Sequence, residues 1–292
     1  MTREAYLRLA QARGLLAVTT QARLQAEAQR AQIESAVRAG FMTEADRLAV
    51  EARVAGLEQS VAGAEQAVAL ADAALRMLTG EESEVAYGIA EPLTASVPEP
   101  QAYAVAVQTA LARRAELEAV RETITAQRAA GRASDARGLP HLALYGVADV
   151  SNPSPRMIPP RQEFQPSWEL GALLTWSPND TWAAVPQGEQ LASQVAAMEA
   201  QLDQLERAVR LEVRQATEQM RTARRAYEAA ERSVEAAQAA YDARDAQLRA
   251  GGATSADVTA ASVELDRARL SLVSAGIDLR VARARLAHAI GE

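Results

Sequence analysis

An internal repeat at a constant offset of 211 residues limits what this 292-residue chain can fold into. Arg38-Ala39-Gly40 recurs as Arg249-Ala250-Gly251, and Thr43, Ala45 and Asp46 recur as Thr254, Ala256 and Asp257. Further on, Leu75, Gly80 and Glu81 recur as Leu286, Gly291 and Glu292. The register holds from Arg38 to Glu81 without a gap. A fixed offset kept over that distance marks one supersecondary unit used twice.

The period inside each copy identifies the unit. Val258, Ala261, Leu265, Ala268, Leu272, Ala275, Leu279, Ala282, Leu286 and Ala289 step alternately by three and four. That is a heptad seam, the pattern of helices packed side by side in a coiled coil. Val50, Val54, Leu57, Val61, Ala64, Val68, Ala71, Leu75 and Leu78 repeat it in the first copy, in register from Ala261 onward. Val258 alone fails, because it falls on Arg47.

The helix before the second tip is much longer. Leu191, Val195, Met198, Leu202, Leu205 and Val209 form one heptad run, and Val213, Ala216, Met220, Ala223, Tyr227, Ala230, Val234, Ala237 and Tyr241 form another. Between Val209 and Val213 the step of four repeats, a stutter that locally unwinds a left-handed supercoil. From about Gly188 to Arg249 the helix would span roughly 90 Å at 1.5 Å per residue. Aromatic residues make up only 4% of the chain, so its apolar content lies in small side chains suited to close helix packing.

The two tips follow one chemistry. Gly40 and Gly251-Gly252 come just after a basic residue, where a left-handed helix C-cap favours glycine. Thr43 and Thr254 suit the N-cap of the returning helix. Glu44, Asp46 and Asp257 fall in its first turn, where an acid meets the positive end of the helix dipole.

The middle of the chain departs from the helical period. Residues 82–100 hold Pro92, Pro98 and Pro100 and predict a linker. Residues 101–135 return to a helical pattern through Ala104, Val107, Leu111, Leu117 and Ile124, which Gly138 and Pro140 end. Two alternating stretches then predict strands joined by a long proline-rich loop. Leu142, Leu144, Gly146, Ala148 and Val150 share one face of the first; Trp168, Leu170, Ala172, Leu174 and Trp176 share one face of the second. The two tryptophans stand eight residues apart, roughly 27 Å along a strand. That is close to the apolar band of about 25 Å between the aromatic girdles of a transmembrane barrel. An ordinary amphipathic hairpin packed on helices satisfies the same alternation.

Several function classes are excluded. The net charge of −7 and the pI near 5.2 oppose nucleic-acid binding, which needs a basic footprint. There is no cysteine and there are only two histidines, His141 and His288, so thiolate and histidine-rich metal sites are ruled out. No cofactor is expected. No nucleophile elbow, phosphate loop or metal-ligand spacing occurs, and the carboxylates of Glu228 and Glu231 stand beside Arg232 on a solvated helix face. The chain does not read as an enzyme. No apolar run is long enough for a transmembrane helix, and residues 1–14 lack the apolar run of a signal peptide.

RAGFMTEADRL at 38–48 and RAGGATSADVT at 249–259, with ALARRAELEAV at 110–120, GLPHLALYGV at 138–147 and SWELGALLTWSPND at 167–180, resemble in order and spacing the TolC-type outer-membrane efflux proteins. The resemblance covers nearly the whole chain. It implies a mainly α fold of long antiparallel coiled-coil helical hairpins in two repeats, with a transmembrane-type β-hairpin, forming a trimeric α/β-barrel conduit. It divides the chain into a first repeat at 1–81 lacking its start, a linker and equatorial helix at 82–138, the β-hairpin at 139–178, and a second repeat at 184–292. The strands of the first repeat are expected to be missing from this chain.

The implied function is a passive exit duct for small molecules or polypeptides, the outer-membrane channel of a tripartite efflux or type I secretion system. Its implied place is the outer membrane with a periplasmic extension. The implied partners are two further copies in a homotrimer, outer-membrane lipid, and a periplasmic adaptor (a membrane fusion protein) that leads to an inner-membrane pump. Gly40, Phe41, Thr43, Gly251, Gly252 and Thr254 fall at the adaptor-docking tips, and Trp168 and Trp176 at the membrane girdle. Asp46 and Asp257 fall near the pore constriction, although Ala260 stands where the family places a second acid; a simple helix-start role suits both aspartates equally. A coiled-coil structural or adaptor-like protein outside the membrane is the alternative to the duct.

Overall fold

A computed structural model describes residues 2–81, 87–88, 98–99, 101–152, 158 and 162–292. Its elements are α1 (Thr2–Arg38), α2 (Glu44–Thr79), α3 (Tyr103–Arg113), α4 (Ala115–Arg137), β1 (His141–Ser151), β2 (Gln165–Thr175), α5 (Pro178–Arg249) and α6 (Ser255–Ala289). Most of the expected linker at 82–100, including Pro92 and Pro100, lies outside the described residues, as does most of the proline-rich loop between the strands.

The chain divides into two compact units. One holds residues up to Arg113 together with Val209–Glu292; the other is Arg114–Ala208. Helix α5 contributes to both.

In the first unit, α1 lies along α2 and also packs on α6. Ala5 and Leu9 of α1 form a core with Leu75 of α2, flanked by Val68 and Ala71. Leu7 and Ala10 turn the other way, onto Ile277 of α6. Helix α1 therefore buries two stripes, one for each neighbour.

The seam expected on α6 is found there: Val258, Leu265, Ala268, Leu279, Ala282, Leu286 and Ala289 are buried. A second buried stripe of Ser262, Gly276, Ile277 and Arg280 accompanies it. The seam on α2 is thinner, with only Val50, Val54 and Leu75 buried and Leu78 exposed. In α5 both sides of the stutter, Val209 and Val213, are buried, and Thr217 joins the stripe by donating its hydroxyl to the Val213 carbonyl at 2.8 Å.

In the second unit, α4 and the 178–208 part of α5 are tied by polar rungs. Arg121 donates to Glu206 at 3.0 Å, Arg128 to Glu199 at 2.5 Å, and Gln127 to Gln194 at 2.7 Å. The helices come close at Gly188, where an added Cβ would sit 2.8 Å from Asp135 Oδ1. The helical stretch expected over 101–135 is two helices: Arg114, at φ −70° and ψ 118°, breaks it between α3 and α4.

The strands pair antiparallel with Leu142 opposite Leu174, Leu144 opposite Ala172, Gly146 opposite Leu170 and Ala148 opposite Trp168. The expected apolar faces thus merge into one. β2 covers Gln165–Thr175, starting earlier than the sequence suggests and leaving Trp176 one residue past its end.

Candidate functional site

Two regions gather the residues singled out from sequence: the tips of the two helical hairpins in the first unit, and the β-hairpin in the second.

The tips share one backbone. In the first, the Gly40 N–H donates to the Val37 carbonyl at 3.0 Å and the Phe41 N–H to the Ala36 carbonyl at 2.9 Å. In the second, Gly251 donates to Leu248 at 3.0 Å and Gly252 to Gln247 at 2.9 Å. This pair of bonds is the Schellman motif, which satisfies the last carbonyls of a helix and requires a left-handed residue at its centre. Gly40 and Gly251 supply it with φ of 78° and 76°.

The return helices begin identically as well. Thr43 and Thr254 are N-caps with φ −95° and −96°, each accepting from the N–H of the aspartate three residues on. Each aspartate reaches back to the cap backbone, Asp46 Oδ2 to the Thr43 N–H at 3.0 Å and Asp257 Oδ2 to the Thr254 N–H at 2.9 Å. These are capping boxes with aspartate as the reciprocal acid.

Both carboxyls are held below the usual carboxylate range. For Asp46 the leading cause is the Ser255 hydroxyl, then Thr43; for Asp257 it is Thr254. Donors to the ionised form stabilise it. Asp46 and Asp257 therefore have a helix-start role in this chain.

The tips also touch. The Ser255 hydroxyl, at the first position of α6, donates to Asp46 Oδ1. Asp46 thus caps its own helix with one oxygen and holds the second repeat with the other.

A few residues further on is a cluster that the sequence reading missed. Arg53 of α2 donates to Asp266 Oδ2 at 2.8 Å and also to the Ser262 hydroxyl, and the side chains of Arg53 and Asp266 are only 10% and 13% exposed. Burial pushes the Asp266 carboxyl above its ordinary value, and Arg53 pulls it back only in part. Arg269 extends the network to Gln238 of α5 at 2.8 Å. Ser262 and Asp266 are polar, so the apolar period gave no sign of them.

The tip side chains differ although the backbones agree. Phe41 is 86% exposed, and Gly252 takes its place in the second tip. Ser255 and Val258 are buried, whereas their counterparts Glu44 and Arg47 form a surface ion pair at 2.6 Å.

In the second unit, the apolar face of the β-hairpin is bare. Leu142, Leu144, Val150, Leu170 and Leu174 are all exposed, as are Trp168 at 75% and Trp176 at 58%. Among the described residues each strand pairs only with the other. On the opposite face Tyr145 lies across Gly171, where an added Cβ would sit 2.5 Å from the ring, and the Tyr145 hydroxyl meets Glu169 at 2.9 Å. The alternative of a hairpin packed on helices does not describe this arrangement.

Among the described residues no cluster of acidic, histidine or cysteine side chains could hold a metal ion, and no helix is long and apolar enough to cross a membrane.

Comparison with known proteins gives the following. A family model described as outer membrane efflux protein matches residues 106–292. No curated protein matches the chain. Among solved structures, the outer-membrane channel OprN is similar at a TM-score of 0.69 and 19% identity, over 99% of this chain and 65% of that one. CusC is similar at a TM-score of 0.71 and 15% identity, over 99% and 67%. The open state of the Neisseria gonorrhoeae MtrE outer membrane channel is similar at 0.67 and 17%, over 99% and 65%. At these identities the likeness is one of fold, and this chain spans about two thirds of the length of those channels.

Proposed function

The chain belongs to the outer membrane efflux protein family, and from that premise we propose that it forms the outer-membrane channel of a tripartite efflux or type I secretion system. It acts as a passive exit duct for small molecules or polypeptides and not as an enzyme. The observation that carries this reading is the bare apolar face of the β-hairpin. Two strands in water with neither face covered are marginal at best. Backbone groups at membrane depth must all be satisfied, which only a closed barrel achieves for strands. Lipid would cover the leucine face, Trp168 and Trp176 would mark the interfaces, and the other strands of the barrel would satisfy the open edges.

In this reading three copies assemble. The tips at Gly40, Phe41, Thr43, Gly251, Gly252 and Thr254 dock a periplasmic adaptor that leads to an inner-membrane pump. Asp46 and Asp257 stand near the constriction at that end.

The test is oligomeric mass in detergent together with conductance across a planar lipid bilayer. A trimer that conducts is the expected result. A monodisperse protein without detergent that leaves the bilayer silent would sink the proposal.

A further inference from the structure

The two tips share a backbone but not a surface, and the difference is concentrated in one side chain. In a Schellman motif the residue after the left-handed glycine usually folds back onto the helix it has just left. In the first tip that residue is Phe41 and the position it would cover is Ala36. Phe41 does not cover it: at 86% exposure it is held out in water by a backbone fixed on both sides, by Gly40 before it and the Thr43–Asp46 capping box after it. Gly252 at the equivalent place has no side chain to offer.

The charge at the tips is uneven too. Arg249, which ends α5, is paired with Asp245 at 2.5 Å. Its counterpart Arg38 ends α1 exposed, and among the described residues it has no ion pair, since Glu34 is taken by Arg30. An exposed aromatic three residues from an exposed arginine without an ion pair among the described residues brings together two side-chain types enriched at protein interfaces.

We propose that the two tips are unequal docking elements, with Phe41 as the anchor and Arg38 as its charged flank, both received by an apolar socket edged by a carboxylate on the periplasmic adaptor. The second tip is the close-approach element. Gly251-Gly252 lets a partner backbone come near but supplies no anchor. The adaptor therefore meets two different surfaces per chain, and the identity of the residue at position 41 sets which adaptor fits. This inference rests on the adaptor-docking reading above and adds to it the residue that selects the partner.

The experiment places a benzoylphenylalanine photo-crosslinker at position 41, and separately at position 253, in the full chain in its own cells. Cross-linked peptides are identified by mass spectrometry, and co-purification of the adaptor is compared for Phe41→Ala, Phe41→Leu and Arg38→Gln. Unchanged helical circular dichroism confirms that each variant folds. The expected result is an adaptor cross-link several-fold stronger from position 41 than from 253. Phe41→Ala should lower adaptor recovery about tenfold, Arg38→Gln by a smaller factor, and Phe41→Leu should retain most of it. If position 253 captures the adaptor as well as 41 does and Phe41→Ala recovers as much, the inference fails while the docking reading stands. If neither position reaches an adaptor, or the product is phospholipid or a second copy of this chain, both fail.

Discussion

Helices α2 and α6 hold equivalent places in the repeat and carry the same heptad seam, yet they are buried to different degrees. Helix α6 sinks its seam and a second stripe of Ser262, Gly276, Ile277 and Arg280, of which Ile277 meets Leu7 and Ala10 of α1 and Ser262 meets Arg53 of α2. Helix α2 buries only Val50, Val54 and Leu75. An apolar seam determines which face a helix offers. The extra burial of α6 falls at positions between the seam residues, among them the small Gly276 and the polar Ser262, which takes a hydrogen bond from Arg53 of α2.

The largest expected effect separates two equivalent residues. Leu265 and Val54 stand 211 positions apart and are both fully covered. Leu265→Ala should cost about 2–5 kcal/mol in chemical unfolding, because α6 is enclosed and cannot collapse into the cavity. Val54→Ala on the more open α2 should cost less, about 1–2 kcal/mol. Equal losses would show that the two helices are equally enclosed.

Next comes the bond between the repeats. Arg53→Met should cost about 1–3 kcal/mol, because it strands the largely buried carboxyl of Asp266. Adding Asp266→Asn should restore part of that loss. If the double variant is no better than the single, the cost lies in the Arg53 contact with Ser262.

The caps should behave alike. Thr43→Ala and Thr254→Ala should each cost about 1 kcal/mol, as loss of an N-cap does, and matching thermal shifts would confirm that the two boxes are equivalent.

Acid should then divide the tips from the cluster. Asp46 and Asp257 lie below their ordinary value of 3.8, so their contribution is present at neutral pH and is lost as pH falls through their lowered values. Asp266 lies above 3.8, so its contribution has the opposite sign: it is full below that value and is lost as pH rises through the folded one. Asp46→Asn should flatten the acid limb of the stability profile, and Asp266→Asn should leave that limb in place. The smallest effect is that of Phe41→Ala on stability, within about 0.5 kcal/mol as for exposed residues generally.

The helical hairpins and tips were legible because their signals are local. A seam repeats every turn or two, and a glycine, threonine and aspartate at fixed spacing write a cap within a few residues. Helix α1 was not read this way, since Leu9 and Leu7 serve different neighbours and leave no single stripe. The Asp46–Ser255 and Arg53–Asp266 contacts were missed for another reason: polar pairs across a chain leave no period. One signal could have found them. Their separations are 209 and 213 residues, either side of the repeat offset of 211, because the first turns of α2 and α6 meet nearly in register. Where a repeat meets its own copy, residues come close to their counterparts, and polar residues near that offset are candidates for contact. The faces and register of the β-hairpin followed from simple alternation, whereas the start of β2 did not, because Pro166 interrupts the pattern.

The uncovered β-hairpin also has a consequence for biogenesis. The contacts of the α1–α2 hairpin are local in the chain and need no other molecule, so that part can form soon after synthesis. Among the described residues the strands pair only with each other, and their free edges can pair with any strand they meet. Until they find their proper setting, the protein carries a sticky segment attached to a finished helical body. Until then Leu142, Leu144, Leu170 and Leu174 present one continuous apolar face to water, the kind of surface that a holding factor would recognise.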